Sequence, residues 1–568
     1  MRRWPLPLVG LLLAPLSLSG QALSGQGLSP DQAAAIDAVF QDLDRPDSPG
    51  ASVAVIQGGT LIYSAGFGSA QLEYQAPVST STIFHVASVS KQFTAMGVLL
   101  LEAEGRLSLD DDIRLHMPEV PDMGATVTVR HLLHHISGVR DQWELLAMAG
   151  WRLDDVITKE HIRRMLSYQQ ELNFEPGAEY LYSNMGFSLL ADLVERVSGK
   201  PFREYLQEQV FEPLGMTATH VHDDHEMVVP GRSYSYRQTE DGYTNAVLSY
   251  ANHGATSLFT TAEDLVLWLD NFRHQRIGGA PVLERMATRG VLNDGETIGY
   301  ALGVSVGQYR GAATVGHGGA DAGFRSNVMW FPEHQMGIAV LSNLASANPA
   351  LRARQIADVV LDDVLEPVPD PESQPEPEPA PDPAIEVSPD VLASYTGRFN
   401  SAPGVLTFEI RQGELWVTSP EEGRLIAHSQ TRFTLDGAPV RLTFHPGEAG
   451  VADSLTLVFE GTAIPGTRAV ESTLDAESLL AYTGTYYSPE IRTLYEIRVR
   501  DGGLVAQHIR HGVLLLSHDE EDAFGGGEWF FREIRFTRSD RGEVDGFRLT
   551  GGRVRNLRFV KLSVALPN

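Results

Sequence analysis

Ser88-Val89-Ser90-Lys91 opens a strongly apolar run, Gln92-Phe93-Thr94-Ala95-Met96-Gly97-Val98-Leu99-Leu100-Leu101, that ends at Gly105. The run predicts a helix, and residues three apart share a helix face, so the Lys91 amine can reach the Ser88 hydroxyl while Ser90 points elsewhere. A serine hydroxyl is a poor nucleophile until a base takes its proton, and a lysine serves where its surroundings hold it neutral. Cation usage sharpens the point. Of 44 basic residues only Lys91, Lys159, Lys200 and Lys561 are lysines, so arginine is the default cation, and arginine cannot give up its proton. On this tetrad alone a second reading stands: Ser88 caps a helix and Lys91 is a surface residue.

Outward from the tetrad, Ser29-Pro30 caps a first helix through about Leu43, with proline where its missing N–H costs nothing. Ala51–Gln57 and Thr60–Tyr63 flank Gly58-Gly59 as a β-hairpin. Residues 88 to 216 read as mostly helical. Strands return near Tyr300–Gln308 and Asn327–Ser342, and a helix from Pro349 to about Leu365 closes this part. Strands at both ends around central helices predict an α+β domain, residues 25–365, whose termini meet in one antiparallel sheet.

Residues 366–388 are dominated by Pro, Glu and Asp and read as an extended, self-repelling linker, so the first domain is expected to fold by itself. Beyond it, Leu392-Ala393-Ser394-Tyr395-Thr396-Gly397 recurs as Leu479-Leu480-Ala481-Tyr482-Thr483-Gly484. The repeat predicts two small antiparallel β-barrels, 389–472 and 473–568.

Two further segments could meet Ser88. Tyr182-Ser183-Asn184 follows a Pro176-Gly177 turn and precedes a helical pattern; a phenol can relay protons, and an amide can grip a carbonyl. Gly316-His317-Gly318-Gly319-Ala320 lies among strands, where glycines let a substrate approach the backbone. Taken singly, a buried tyrosine and a glycine turn explain them. In this order the three elements resemble the Ser-x-x-Lys, Tyr-x-Asn and Lys/His-x-Gly set of serine β-lactamases and penicillin-binding proteins. The resemblance covers residues 30–365 and extends to Leu132-Leu133-His134-His135-Ile136-Ser137-Gly138. It implies a β-lactamase-like fold, Ser88 as nucleophile, Lys91 as base, Tyr182 sharing proton transfer to the leaving group and Asn184 orienting the substrate. It also implies an oxyanion hole from the Ser88 and Ala320 N–H groups, beside Gly319. His317 stands where β-lactamases carry lysine, and it is expected to line the pocket near the position of a substrate carboxylate. That variant, with two barrels, is similar to D-aminopeptidases, D-peptidases and esterases of the family.

Two other patterns compete. Gly303-Val304-Ser305-Val306-Gly307 fits the nucleophile elbow of another hydrolase class, but another apparent strand follows where that elbow needs a helix. His131, His134 and His135 have zinc-like spacing, yet no carboxylate accompanies them locally, so packing and capping roles are expected.

The remaining features set context. Residues 1–24 run from Met1-Arg2-Arg3 through an apolar stretch to Ala22-Leu23-Ser24 and read as a signal peptide, predicting an exported protein, periplasmic or extracellular. There is no cysteine, which removes thiol chemistry and disulfides, and a net charge of −29 argues against nucleic acid as a partner. No apolar run is long enough for stable membrane insertion. No metal or organic cofactor is implied. The expected function is acyl-enzyme hydrolysis of amide or ester bonds in a small-molecule or peptide substrate, D-amino-acid or peptidoglycan-like, with cell-wall material a candidate partner. The alternatives are a broad carboxylesterase and a slowly acylated penicillin-binding sensor.

Overall fold

A computed structural model of the chain describes residues 27–239, 241–367, 385–401, 404–419, 423–436, 440–447, 450–459, 462–468 and 474–563. The expected signal peptide and most of the expected linker lie outside the described residues. Alternation of apolar side chains builds the central sheet. Its antiparallel strands run in the order Ser305–Tyr309, Ala312–Asp321, Phe324–Phe331, Met336–Ser342, Ala51–Gln57 and Thr60–Phe67. Ala51 pairs with Ser342, so the two ends of the domain do meet in one sheet. The hairpin turn falls on Gly58-Gly59, both at positive φ (57° and 85°), as a two-residue turn requires.

Successive residues of one strand serve opposite faces. Val53 and Val55 pack with Ile338, Val340 and the helices Pro30–Ala38 and Pro349–Val360. Ala54 and Ile56 face the other core, with Leu265, Trp268 and the helix Lys91–Ala103. The Ser29-capped helix stops at Ala38 rather than near Leu43; the chain then turns, and Phe40 and Leu43 are tucked into the same core. The strand expected from Tyr300 starts at Ser305, because Gly303, at φ 75°, bends the chain against the first turn of the Lys91 helix. A Cβ on Gly303 would lie 2.8 Å from the Lys91 carbonyl oxygen.

The repeated segments each form a short helix, Pro389–Ala393 and Ala476–Leu480, ahead of a closed eight-stranded antiparallel barrel. Closure joins Phe399 to Arg468 in the first barrel and Tyr486 to Lys561 in the second, leaving no free edge. The repeated tyrosines fill equivalent places: Tyr395 stacks on Phe444 at 4.4 Å and Tyr482 tilts on Phe536 at 4.7 Å.

The second barrel is not a loose appendage. Its interior and the helical core of the first domain form one continuous apolar cluster. Across the junction Arg140, fully buried, pairs with Glu490 at 2.6 Å, and the Tyr495 hydroxyl donates to the Met148 carbonyl at 3.0 Å. A fragment of residues 25–365 would lose, with the barrel, the cover of this shared core and the Glu490 partner of Arg140, which would keep Glu171 at 3.6 Å. The first barrel keeps a separate core. Among the described residues no helix is long and apolar enough to cross a membrane.

Candidate active site

The helix Lys91–Ala103 is buried nearly all round, which makes it a central helix rather than an amphipathic surface one. Ser88 sits on the 3-10 turn Ala87–Ser90 just before it, partly exposed, while Lys91 is wholly buried. Ala87 holds φ 47°, a conformation rare for a side chain with Cβ, immediately before Ser88. Ser90 is a structural residue: its hydroxyl donates to the Ala87 carbonyl at 2.6 Å and accepts from the Leu258 N–H at 3.0 Å.

The Lys91 amine has three partners: Ser88 Oγ at 3.2 Å, Asn184 Oδ1 at 2.8 Å and the Ala255 carbonyl at 2.7 Å. Among the described residues no carboxylate touches it. Burial pushes its pKa down to about 7, opposed by the charges of Asp321 and Asp141 and assisted by that of Arg553. A lysine in this state is neutral in a large fraction of molecules near neutral pH, which a general base requires.

Tyr182 lies on the loop before the helix Asn184–Ser198, with the Lys91 amine 4.7 Å from its ring centre. Burial raises its pKa, while the nearby Ser88 hydroxyl and Arg553 act the other way. Its hydroxyl is buried with no well-formed hydrogen bond to another protein atom, so it is open to a substrate proton. His135 holds the ring in place: the two rings pack at a tilt of 35° with centres 4.0 Å apart, and His135 Nδ1 accepts from the Ser183 N–H at 3.1 Å. Asn184 is oriented by Asp141, whose carboxylate accepts from both the Asn184 backbone N–H and Nδ2 at 2.8 Å. That fixes Oδ1 toward Lys91. Asp141 escaped the sequence reading because nothing local marks it; its one hint is its place three residues after Gly138.

The strand Ala312–Asp321 lies against the Ala87–Ser90 turn. A Cβ on Gly319 would fall 2.4 Å from the Val86 carbonyl oxygen, so only glycine permits this approach. Ala320 follows, exposed at the cavity edge. His317 is buried beside Tyr182, their ring centres 6.3 Å apart; Nδ1 meets the Gly318 carbonyl at 2.5 Å and Nε2 meets the Tyr300 hydroxyl at 3.0 Å. Those partners fix a neutral tautomer with Nδ1 protonated, and burial pushes its pKa down to about 4, with Lys91 a further cause. It buttresses the glycine turn.

Ser305 begins an exposed edge strand whose pairing continues into Ala312–Asp321, so there is no elbow. His131 and Thr128 form a helix capping box, His134 is buried, and His135 supports Tyr182. Among the described residues the one three-residue group with metal-ligand geometry is elsewhere, Asp192, Glu195 and His253. Its carboxylates already pair with Arg163 and Lys159.

The second barrel reaches this site. Glu144 accepts from the backbone N–H groups of Gly552, Arg553 and Val554 at 2.8, 2.7 and 2.7 Å. The pinned loop lays the Arg553 guanidinium 5.0 Å from the Tyr182 ring centre.

A family model described as Beta-lactamase matches residues 36–361. A D-aminopeptidase of Gluconobacter oxydans (strain 621H) is 28% identical over 310 residues, 54% of this chain and 58% of the relative. A penicillin-binding protein of Bacillus subtilis (strain 168) is 28% identical over 333 residues, 54% of this chain and 71% of the relative. The matches thus span little more than half of this chain, and of the first relative. Among solved structures, the octameric penicillin-binding protein homologue from Pyrococcus abyssi shares the fold, with TM-score 0.53 and 22% identity over 77% of this chain and 99% of that one.

Proposed function

The chain belongs to the Beta-lactamase family, and on that premise we propose that it is an exported serine hydrolase acting through an acyl-enzyme on Ser88. Its substrates are amides or esters of D-amino-acid or peptidoglycan-like type. The observation that carries the reading is a buried lysine amine, 3.2 Å from a partly exposed serine hydroxyl, with no carboxylate in contact among the described residues. Export is supported by the Met1–Ser24 sequence pattern.

Neutral Lys91 takes the Ser88 proton as Oγ bonds to the substrate carbonyl carbon. The developing oxyanion is met by the Ser88 and Ala320 N–H groups, and Asn184 holds the acyl chain. The carbon–nitrogen or carbon–oxygen bond to the leaving group then breaks. The Lys91 proton passes to that group by way of the Tyr182 hydroxyl. Water, losing a proton to the same lysine and tyrosine pair, attacks the acyl-serine ester and returns Ser88 with its hydrogen.

D-amino-acid substrates are favoured by the similarity to the Gluconobacter oxydans D-aminopeptidase. The test is labelling of the full chain with a fluorophosphonate, localisation of the adduct by mass spectrometry, and turnover of D-alanine amide, a short ester and a chromogenic cephalosporin in parallel. An adduct on Ser88 with repeated turnover supports the reading. An adduct elsewhere, or a single labelling event with no turnover of any substrate, refutes it.

A further inference from the structure

A cavity of about 650 Å³ opens beyond Ala320, between the first domain and the second barrel. On a chain of net charge −29 its wall is unexpectedly basic, carrying Arg237, Arg325, Arg532 and Arg553. Three carboxylates face the same space, yet each is spent on the protein. Asp141 serves Asn184 and the Trp143 N–H. Glu144 takes three backbone N–H groups of the barrel loop. Asp321 accepts from Thr256 and meets His85 at 2.9 Å.

Among the described residues the guanidinium groups of Arg237, Arg325 and Arg553 have no carboxylate in hydrogen-bond contact. Arg325 donates only to the carbonyls of Ala322 and Phe324, at 3.2 and 2.8 Å. Arg553 rests on the Tyr182 ring, and Arg237 is exposed at the cavity wall; among the described residues neither forms an ion pair. Burial, opposed by the charge of Asp321 and assisted by the like charge of Arg237, holds the Arg325 pKa below the usual arginine range. Guanidinium groups crowded on one cavity repel each other, and an incoming anion relieves that repulsion while accepting charge-assisted, bidentate hydrogen bonds.

The cavity is bounded by Ala320 and by Asp141, the partner of Asn184, so it adjoins the groups that hold the acyl chain. His317, whose nitrogens are taken, lies outside its wall. We propose that this arginine-lined vestibule binds a carboxylate on the acyl part of the substrate, so that the enzyme selects acyl groups bearing a second, acidic function. The chemical class is a half-ester or half-amide of a dicarboxylic acid, or a peptide with an acidic residue on the acyl side of the scissile bond. The proposal rests on Ser88 being the acylated nucleophile. It reverses the preference that a neutral His317 lining the pocket would give, which favours uncharged or amine-bearing substrates.

The test uses three 4-nitrophenyl esters with one leaving group: the glutarate monoester, its methyl ester, and the 4-aminobutyrate ester. The full chain should prefer the anionic acyl group over the neutral one by about tenfold in kcat/KM at low ionic strength, with the cationic ester poorest, since one charge-assisted contact is worth at least that much. The anionic-to-neutral ratio should fall about fivefold or more in Arg325→Gln and in Arg553→Gln, and fall in the exposed Arg237→Gln. The ratio is the readout, so a loss common to all substrates does not count as support.

A wild-type ratio of one or less, or a ratio unchanged in all three variants, overturns the proposal. So does a preference confined to an anionic leaving group, tested with butyrate esters of 4-hydroxybenzoate and of its methyl ester. Hydrolysis of the neutral ester through Ser88 would leave the hydrolase reading standing in each case. If no ester is turned over, calorimetric titration of the full-length Ser88→Ala protein with glutarate decides. Saturable binding weakened by Arg325→Gln supports the vestibule while the hydrolase reading falls; no binding overturns the vestibule.

Discussion

If Lys91 is the base, activity must follow its neutral fraction. With its pKa pushed down to about 7, kcat/KM should rise with pH, and between pH 5 and pH 8 the gain is about ninetyfold, the ratio of neutral fractions at those values. Two neighbours then move the inflection in opposite directions. Arg553 and the Lys91 amine lie within 5.0 and 4.7 Å of the same tyrosine ring, so they are no more than about 10 Å apart. At an effective dielectric near 20, charges at about 10 Å interact by roughly 1.7 kcal/mol, and solvent around the exposed Arg553 reduces this. Arg553→Ala should therefore raise the inflection by about half a unit to one unit. Asp321 favours the Lys91 cation, so Asp321→Asn should lower it. The assay is kcat/KM for a neutral ester from pH 5 to 9 at constant ionic strength, with the adduct on Ser88 verified. A flat profile across pH 5 to 8, or an inflection that both substitutions leave in place, refutes the assignment.

The same lysine carries a stability signature. Unfolded, it binds a proton below about pH 10.4, whereas folded it does so only below about 7. Between these values the unfolded state binds more protons, so stability is lost as pH falls through that window; Lys91→Met should abolish turnover and raise the melting temperature most at pH 6. At the barrel junction, Glu490→Ala should destabilise the protein by about 3 kcal/mol in denaturant unfolding, because Arg140 stays buried with only the more distant Glu171, at 3.6 Å, as counter-charge, while Arg140→Met combined with Glu490→Met should recover most of the loss. Gly319→Ala drives a Cβ to 2.4 Å from the Val86 carbonyl oxygen and must push the strand off the nucleophile turn. A fall in kcat of about tenfold or more is expected, with about 1–3 kcal/mol of lost stability; unimpaired turnover would show that the contact is slack. Ser305→Ala should keep kcat/KM within a few-fold, since Ser305 lies exposed on an edge strand, and its inactivation would move the nucleophile.

The sequence by itself determined whatever rests on short-range order. A three-residue step put Lys91 under Ser88, and two-residue alternation sent Val53 and Val55 to one face of the sheet and Ala54 and Ile56 to the other. The Gly58-Gly59 turn and the Leu-x-x-Tyr-x-Gly repeat were legible for the same reason: turns and buried anchors are written into neighbouring residues. Only the tertiary structure decided which polar groups are left unpaired. His317 had the right type and position for a pocket residue, but the Tyr300 hydroxyl, supplied from another segment, occupies its second nitrogen. Asp141 matters through Asn184, 43 residues on. Glu144 holds a loop more than 400 residues away, which brings Arg553 over the Tyr182 ring. No periodicity encodes such contacts. The last of them exists because the second barrel buries Arg140, Met148 and their neighbours in a shared core, and that docking carries a distant loop to the Tyr182 ring.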